Sequence, residues 1–65
     1  MDKYTLLKMD SYMALSIVNM KLRDEFSSLE DFALYYNIEI KEIQHKLSEI
    51  GYEYDCRTNR FISMI

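Results

Sequence analysis

Apolar residues recur with a helical period in three stretches of the chain and with strand-like alternation in one. In the first stretch Leu15, Val18, Leu22 and Phe26 fall on one stripe of a helical cylinder. Met13, Ile17 and Met20 form a second stripe, and Ser16, Asn19 and Arg23, with Tyr12 beside them, make a polar ridge between the two. The predicted helix covers residues 10–26. It starts at Asp10 or Ser11, either of which can accept a hydrogen bond from a first-turn amide, and frays near Ser27 and Ser28.

The second stretch opens on Ser28 and Asp31, spaced so that each side chain can satisfy the other's backbone amide. Leu29, Phe32, Ala33 and Tyr36 share its inward face, and Ala33 is small enough to let the next helix cross closely. Asn37 is the predicted bend, because asparagine tolerates the left-handed conformation better than other non-glycine residues. Ile40, Ile43, Leu47 and Ile50 then line up on a third helix that Gly51 stops. Residues 28–50 thus read as a helix-turn-helix. After it, YEYDCRTNRFISMI reads as two short strands over residues 52–64, turning through DCRTN with Asn59 at positive φ. The expected fold is mainly α with a small β-hairpin: a three-helix, helix-turn-helix, reduced winged-helix-like domain. Residues 1–9 are expected to be an extended lead-in arm, with Tyr4, Leu6, Leu7 and Met9 available to lie across the core.

Length and composition narrow this picture. A chain of 65 residues holds a single small domain, and such a domain buries only roughly 60% of its unfolded surface. With 49% hydrophobic residues, some apolar surface is left over for a partner, and a homodimer is the commonest outcome. The formal charge of −3 lowers the expectation of nucleic-acid binding without excluding it. No apolar run is long enough to span a membrane, and the N-terminus lacks signal-peptide features. Cys56 is the single cysteine, so the expected compartment is the cytoplasm.

Two blocks, SYMALSIVNMKLRDEFSSLEDF and KLSEIGYEYDCRTNRF, carry a further signal. The pattern falls on Asp10, Met13, Leu15, Ser16, Asn19, Lys21 to Asp24, Ser28, Leu29, Lys46, Leu47, Gly51, Tyr52, Tyr54, Asn59 and Phe61. It closely resembles the small bacterial domain-of-unknown-function family numbered 4250, over nearly the whole chain. Ser11 departs from that family's tendency to proline, which leaves the start of the first helix less constrained. The resemblance implies a bacterial source and a stand-alone small protein, and no assigned activity.

The candidate chemistry is sparse. On the outward face of the third helix, centred on His45, Lys41 and Gln44 have the right groups for guanine and adenine edges, and Arg57 and Arg60 bracket the hairpin turn as wing arginines do. Glu42 and Glu49 would lie near phosphate, and Glu53 and Asp55 could pair with the arginines across the strands. The ridge of Ser16, Asn19 and Arg23 reads either as a binding strip or as ties from the first helix to its neighbours. His45 has no ligand partner at metal-binding spacing, and there is neither a glycine-rich phosphate loop nor a nucleophile–base set. No catalysis, cofactor, metal or small-molecule substrate is therefore expected. The leading expectation is a cytoplasmic interaction module whose partner face is Met13, Ile17, Met20, Leu34 and Tyr35; the alternative is a winged-helix DNA-binding regulator using Lys41, Gln44, His45, Arg57 and Arg60.

Overall fold

The computed structural model describes residues 1–64. Four helices precede a two-stranded antiparallel sheet: α1 (Lys3–Lys8), α2 (Ser11–Asp24), α3 (Leu29–Tyr36), α4 (Ile40–Ser48), β1 (Tyr52–Asp55) and β2 (Arg60–Ser63). The three helices expected from periodicity are α2, α3 and α4. None of the described helices is long and apolar enough to cross a membrane.

The N-terminal arm corrects an expectation: it is helical, not extended. Asp2 caps it by accepting the Thr5 amide at 2.8 Å. A helix of six residues has too few internal hydrogen bonds to persist alone. Leu6 supplies what is missing, since it is fully buried in the core. Tyr4, expected to lie across that core, instead stands 67% exposed on the other side of the short helix.

Asp10 caps α2, its carboxylate accepting the Tyr12 and Met13 amides. The helix ends at Asp24, two residues before the expected limit, because the Glu25 and Phe26 amides both turn onto the Lys21 carbonyl. Its buried line is Ala14, Val18 and Leu22. Leu15 and Phe26, expected on that line, are only half-buried and flank it.

Ser28 caps α3 by accepting the Asp31 amide at 3.1 Å. The reciprocal half expected of Asp31 is absent; its carboxylate takes the Ser27 hydroxyl at 2.9 Å instead. The return bond of a capping box occurs one helix later, where Glu42 accepts the Glu39 amide at 3.0 Å. Asn37 lies in the left-handed region at φ 56, as its residue type suggested, and its amide reaches back to the end of α3. Ile38, just beyond, drops into the core. Gly51, at φ 82, ends the α4 segment and starts the hairpin, a conformation that costs glycine nothing.

The strands pair Tyr52 with Ser63, Glu53 with Ile62, Tyr54 with Phe61 and Asp55 with Arg60. This is a hairpin whose turn carries Asn59 at φ 54. One edge of the sheet packs against α4 through β1, and the other against α2 through β2. Phe61 anchors it, buried with Leu6, Val18, Leu22, Leu29, Phe32, Ile43 and Leu47 in one cluster. Phe26, Phe32, Tyr35 and Tyr36 extend that cluster towards the surface, with neighbouring ring centroids 4.9–5.9 Å apart.

Candidate functional site

The polar ridge of α2 divides into a part committed to the fold and a part that is free. Asn19 presents both halves of its amide to one residue of β2. Its Nδ2 donates to the Phe61 carbonyl at 3.1 Å, and its Oδ1 accepts the Phe61 amide at 2.8 Å. The side chain thereby stands in for a missing neighbouring strand on that edge. Asn59 does comparable work at the end of α2. Because Lys21 receives both closing amides, the Leu22 carbonyl is left over, and Asn59 Nδ2 donates to it and to the Phe26 carbonyl at 3.0 Å each. Asn59 Oδ1 accepts the Tyr54 hydroxyl at 2.6 Å, and that hydroxyl accepts the Leu29 amide at 3.3 Å. One chain of hydrogen bonds so joins the end of α2, the hairpin and the start of α3. Asn19 is a tie, as one of its two sequence readings held.

Arg23 is not such a tie. It lies exposed and grips the neighbouring Asp24 through two bonds of 2.8 Å. The Asp24 carboxylate keeps the guanidinium above its ordinary pKa, and the guanidinium keeps that carboxyl below its own. Ser16 is exposed on the same ridge.

Lys41, Gln44 and His45 do come together. With Ser48 they face Tyr52, Glu53 and Tyr54 across a depression of about 420 Å³ between α4 and β1. Lys41 is paired with Glu39 at 3.5 Å. Glu42, expected to confront phosphate, is half-buried and turned away towards the helix start. Its carboxyl is held below its ordinary pKa by the Glu39 amide first and by Lys3, 3.3 Å away, in addition. The two arginines of the same expected set lie elsewhere. Arg57 sits at the hairpin turn, its side chain 3.5 Å from Asp55, whose pKa is lowered by the Thr58 hydroxyl and further by the Arg57 amide. Arg60, although directly opposite Asp55 in the register, lies beside α2 and makes no ion pair with either acidic residue proposed for it.

The expected apolar partner face is similarly divided. Met13 and Met20 remain 59% and 44% exposed, so α1 does not bury them, while Ile17 is half-buried against the core. Leu34 and Tyr35 on α3 are 80% and 72% exposed. Leu34 lines a depression with Ala33, Ile38 and Ile40, flanked by Lys3. Met20 lines a different one, between α2 and β2. Met20 and Leu34 therefore lie at different depressions, and Met13, Ile17 and Tyr35 line neither.

The ridge of Ser16, Asn19 and Arg23, read from the sequence as one candidate binding strip, lines this α2–β2 depression; what sequence reasoning missed is the rest of its lining, Leu15, Met20 and Ile62 with Arg60. The local signal was the spacing of Asn19 and Arg23 on one helical face: once Asn19 binds β2, Arg23 must overhang the same strand. Among the described residues no group of three or more histidine, cysteine, aspartate or glutamate side chains is placed to hold a metal ion, and Cys56 is an exposed free thiol.

No curated protein and no solved structure matches the chain. Residues 8–61, from the end of α1 to the residue that Asn19 holds, match the family described as Domain of unknown function (DUF4250). With most of its length, the asparagine ties included, inside that match, the chain belongs to the DUF4250 family.

Proposed function

We propose that this protein is a protein-interaction module on a helix-turn-helix scaffold, acting in a bacterial cytoplasm by docking apolar surface and performing no catalysis. The observation that carries this reading is the solvent-facing side of α3, where Leu34 and Tyr35 stand open although a helix is available at the N-terminus to cover apolar surface. Tyr35 also packs against two rings, tilted at 5.4 Å from Phe26 and edge-on at 4.9 Å from Tyr36. An exposed aromatic that is already ordered loses little entropy on binding, which suits it to an interface.

Sedimentation over a range of concentrations tests this on wild type, Leu34→Glu and Met20→Glu. The reading expects a wild-type dimer that one of the substitutions returns to monomer, or a monomer in all three whose partner is a different protein. In the second case, immobilised wild type should retain a protein from the source cell that Leu34→Glu does not. Equal retention by wild type and both variants overturns the reading.

A second reading, a winged-helix DNA-binding regulator, is favoured by the gathering of Lys41, Gln44 and His45 beside the hairpin and by the withdrawal of Glu42. Glu39, Glu49 and Glu53 remain exposed around that face, and the chain is acidic overall. Fluorescence anisotropy with mixed duplex DNA decides it: that reading requires binding at low salt that falls steeply as salt is raised.

A further inference from the structure

The depression between α2 and β2 differs in charge from the rest of the molecule. It runs on towards the hairpin turn, where Arg23 and Arg60 also flank Thr58 and Asn59, with volumes of about 550 and 510 Å³ for its two parts. No carboxylate lines either part, in a chain whose acidic residues outnumber its basic ones eleven to eight. The charged side chains along it are two of the chain's three arginines. Its apolar portion is Leu15, Met20 and Ile62, all at least partly open to solvent.

We propose that this groove is a docking site for a short peptide segment of another protein in which apolar residues alternate with carboxylates. The proposal rests on the interaction-module reading and gives that module a second surface, apart from Leu34, with a partner of stated chemistry. Two features make the arginines suited to a carboxylate. Asp24 takes the Nε and Nη2 side of Arg23, which orients the guanidinium and leaves its Nη1 donors without a partner among the described residues. The Arg60 side chain has no hydrogen-bond or ion-pair partner among the described residues, so a carboxylate reaching it displaces nothing.

The groove also says how the segment is held. The main chain of Phe61 on the outer edge of β2 is already taken by Asn19, so at that position a peptide cannot add as a further strand. It binds by side chains: an apolar group on Leu15, Met20 and Ile62, and carboxylates on Arg23 and Arg60. Nucleic acid fits less well. An apolar floor offers nothing to a phosphodiester, and a net charge of −3 with Asp24 at the rim repels a polyanion more than a segment bearing a few carboxylates.

The test is a random peptide display library panned on the full chain at low salt, followed by anisotropy of the enriched peptides on wild type, the double variant Arg23→Gln/Arg60→Gln and Leu34→Glu. Both arginines are exposed, so the double variant should keep its fold, which circular dichroism checks. The proposal expects enriched peptides that combine aspartate or glutamate with leucine, isoleucine or phenylalanine. Their affinity should drop about tenfold in the double variant and hold in Leu34→Glu. Peptides without acidic enrichment, or equal binding by the double variant, overturn it. If such peptides are lost in Leu34→Glu instead, the interaction reading stands and this groove is not its site. An empty selection overturns the groove proposal alone, the wider reading being decided by sedimentation and retention. Displacement of the peptides by duplex DNA at equal or lower concentration assigns the arginines to nucleic acid and overturns it as well.

Discussion

The hairpin and α1 flank the same helical core but are attached to it by opposite means. The hairpin is held by Phe61 in the core and by directional bonds from Asn19, Asn59 and Tyr54, which set its register against α2 and α3. α1 is held by the fully buried Leu6, with Leu7 half-buried beside it and a half-buried ion pair from Lys3 to Glu42. Apolar burial is strong and tolerant of orientation, whereas an amide that must meet both a donor and an acceptor accepts one placement. The polar seam therefore specifies geometry, and the apolar one contributes mainly stability.

Leu6→Ala should produce the largest effect, about 3 kcal/mol, because it empties a fully buried site and removes the anchor of a six-residue helix. Urea denaturation would measure the loss, and hydrogen exchange should show the α1 amides unprotected before the rest of the domain opens. Protection of α1 equal to that of α2 in this variant would break the contrast drawn above. Asn59→Ala comes next, at about 2–3 kcal/mol, combining the cost of a positive φ without glycine or asparagine with two orphaned helix-end carbonyls. Asn59→Gly separates these contributions, since glycine removes the backbone cost of about 1 kcal/mol and leaves the lost hydrogen bonds.

Asn19→Ala should cost about 1–2 kcal/mol, with a specific signature: the Phe61 amide becomes exchangeable while the core amides of α4 stay protected. A uniform loss of protection would mean that the seam is no more specific than the Leu6 contact. The smallest effect is one of pH. The Glu42 carboxyl is held below its ordinary value of 4.5 in the folded chain, and Asp2, at the α1 cap, below 3.8. Their contributions are complete above those ordinary values and are lost as pH falls through the depressed folded ones. Thermal unfolding followed from neutral pH to about pH 3 should decline only at the acid end, and Glu42→Gln should flatten part of that decline.

Several elements were legible because each depended on a residue's own chemistry. Asn37 and Asn59 were assigned positive φ from residue type and position, and both adopt it. Asp10 and Ser28 cap the helices they precede, and the isoleucine–leucine ladder of α4 buries Ile43 and Leu47. The α1 helix was missed because six residues are too few to display a period, although Asp2 ahead of Thr5 is a cap spacing that could have been read. The buried line of α2 was misplaced for a different reason. Leu15 is larger than Ala14, but the small side chain lies where the helix meets its neighbours most closely, and only the packing shows which flank that is.

The candidate surfaces divide in the same way. Exposure of Leu34 and Tyr35 followed from the helical period of α3, and the grouping of Lys41, Gln44 and His45 followed from that of α4. By itself the sequence determined the three main helices, the capping residues Asp10 and Ser28 of the first two, the left-handed turn positions, the hairpin and a net acidic charge, because each depends on residue type and on neighbours a few residues apart. Only the tertiary structure decided that α1 folds onto the core, that Lys3 reaches Glu42, and that Arg60 joins Arg23 over a groove with no carboxylate in its lining. Those outcomes depend on contacts between residues far apart in the chain, and no local period records where two distant surfaces will meet.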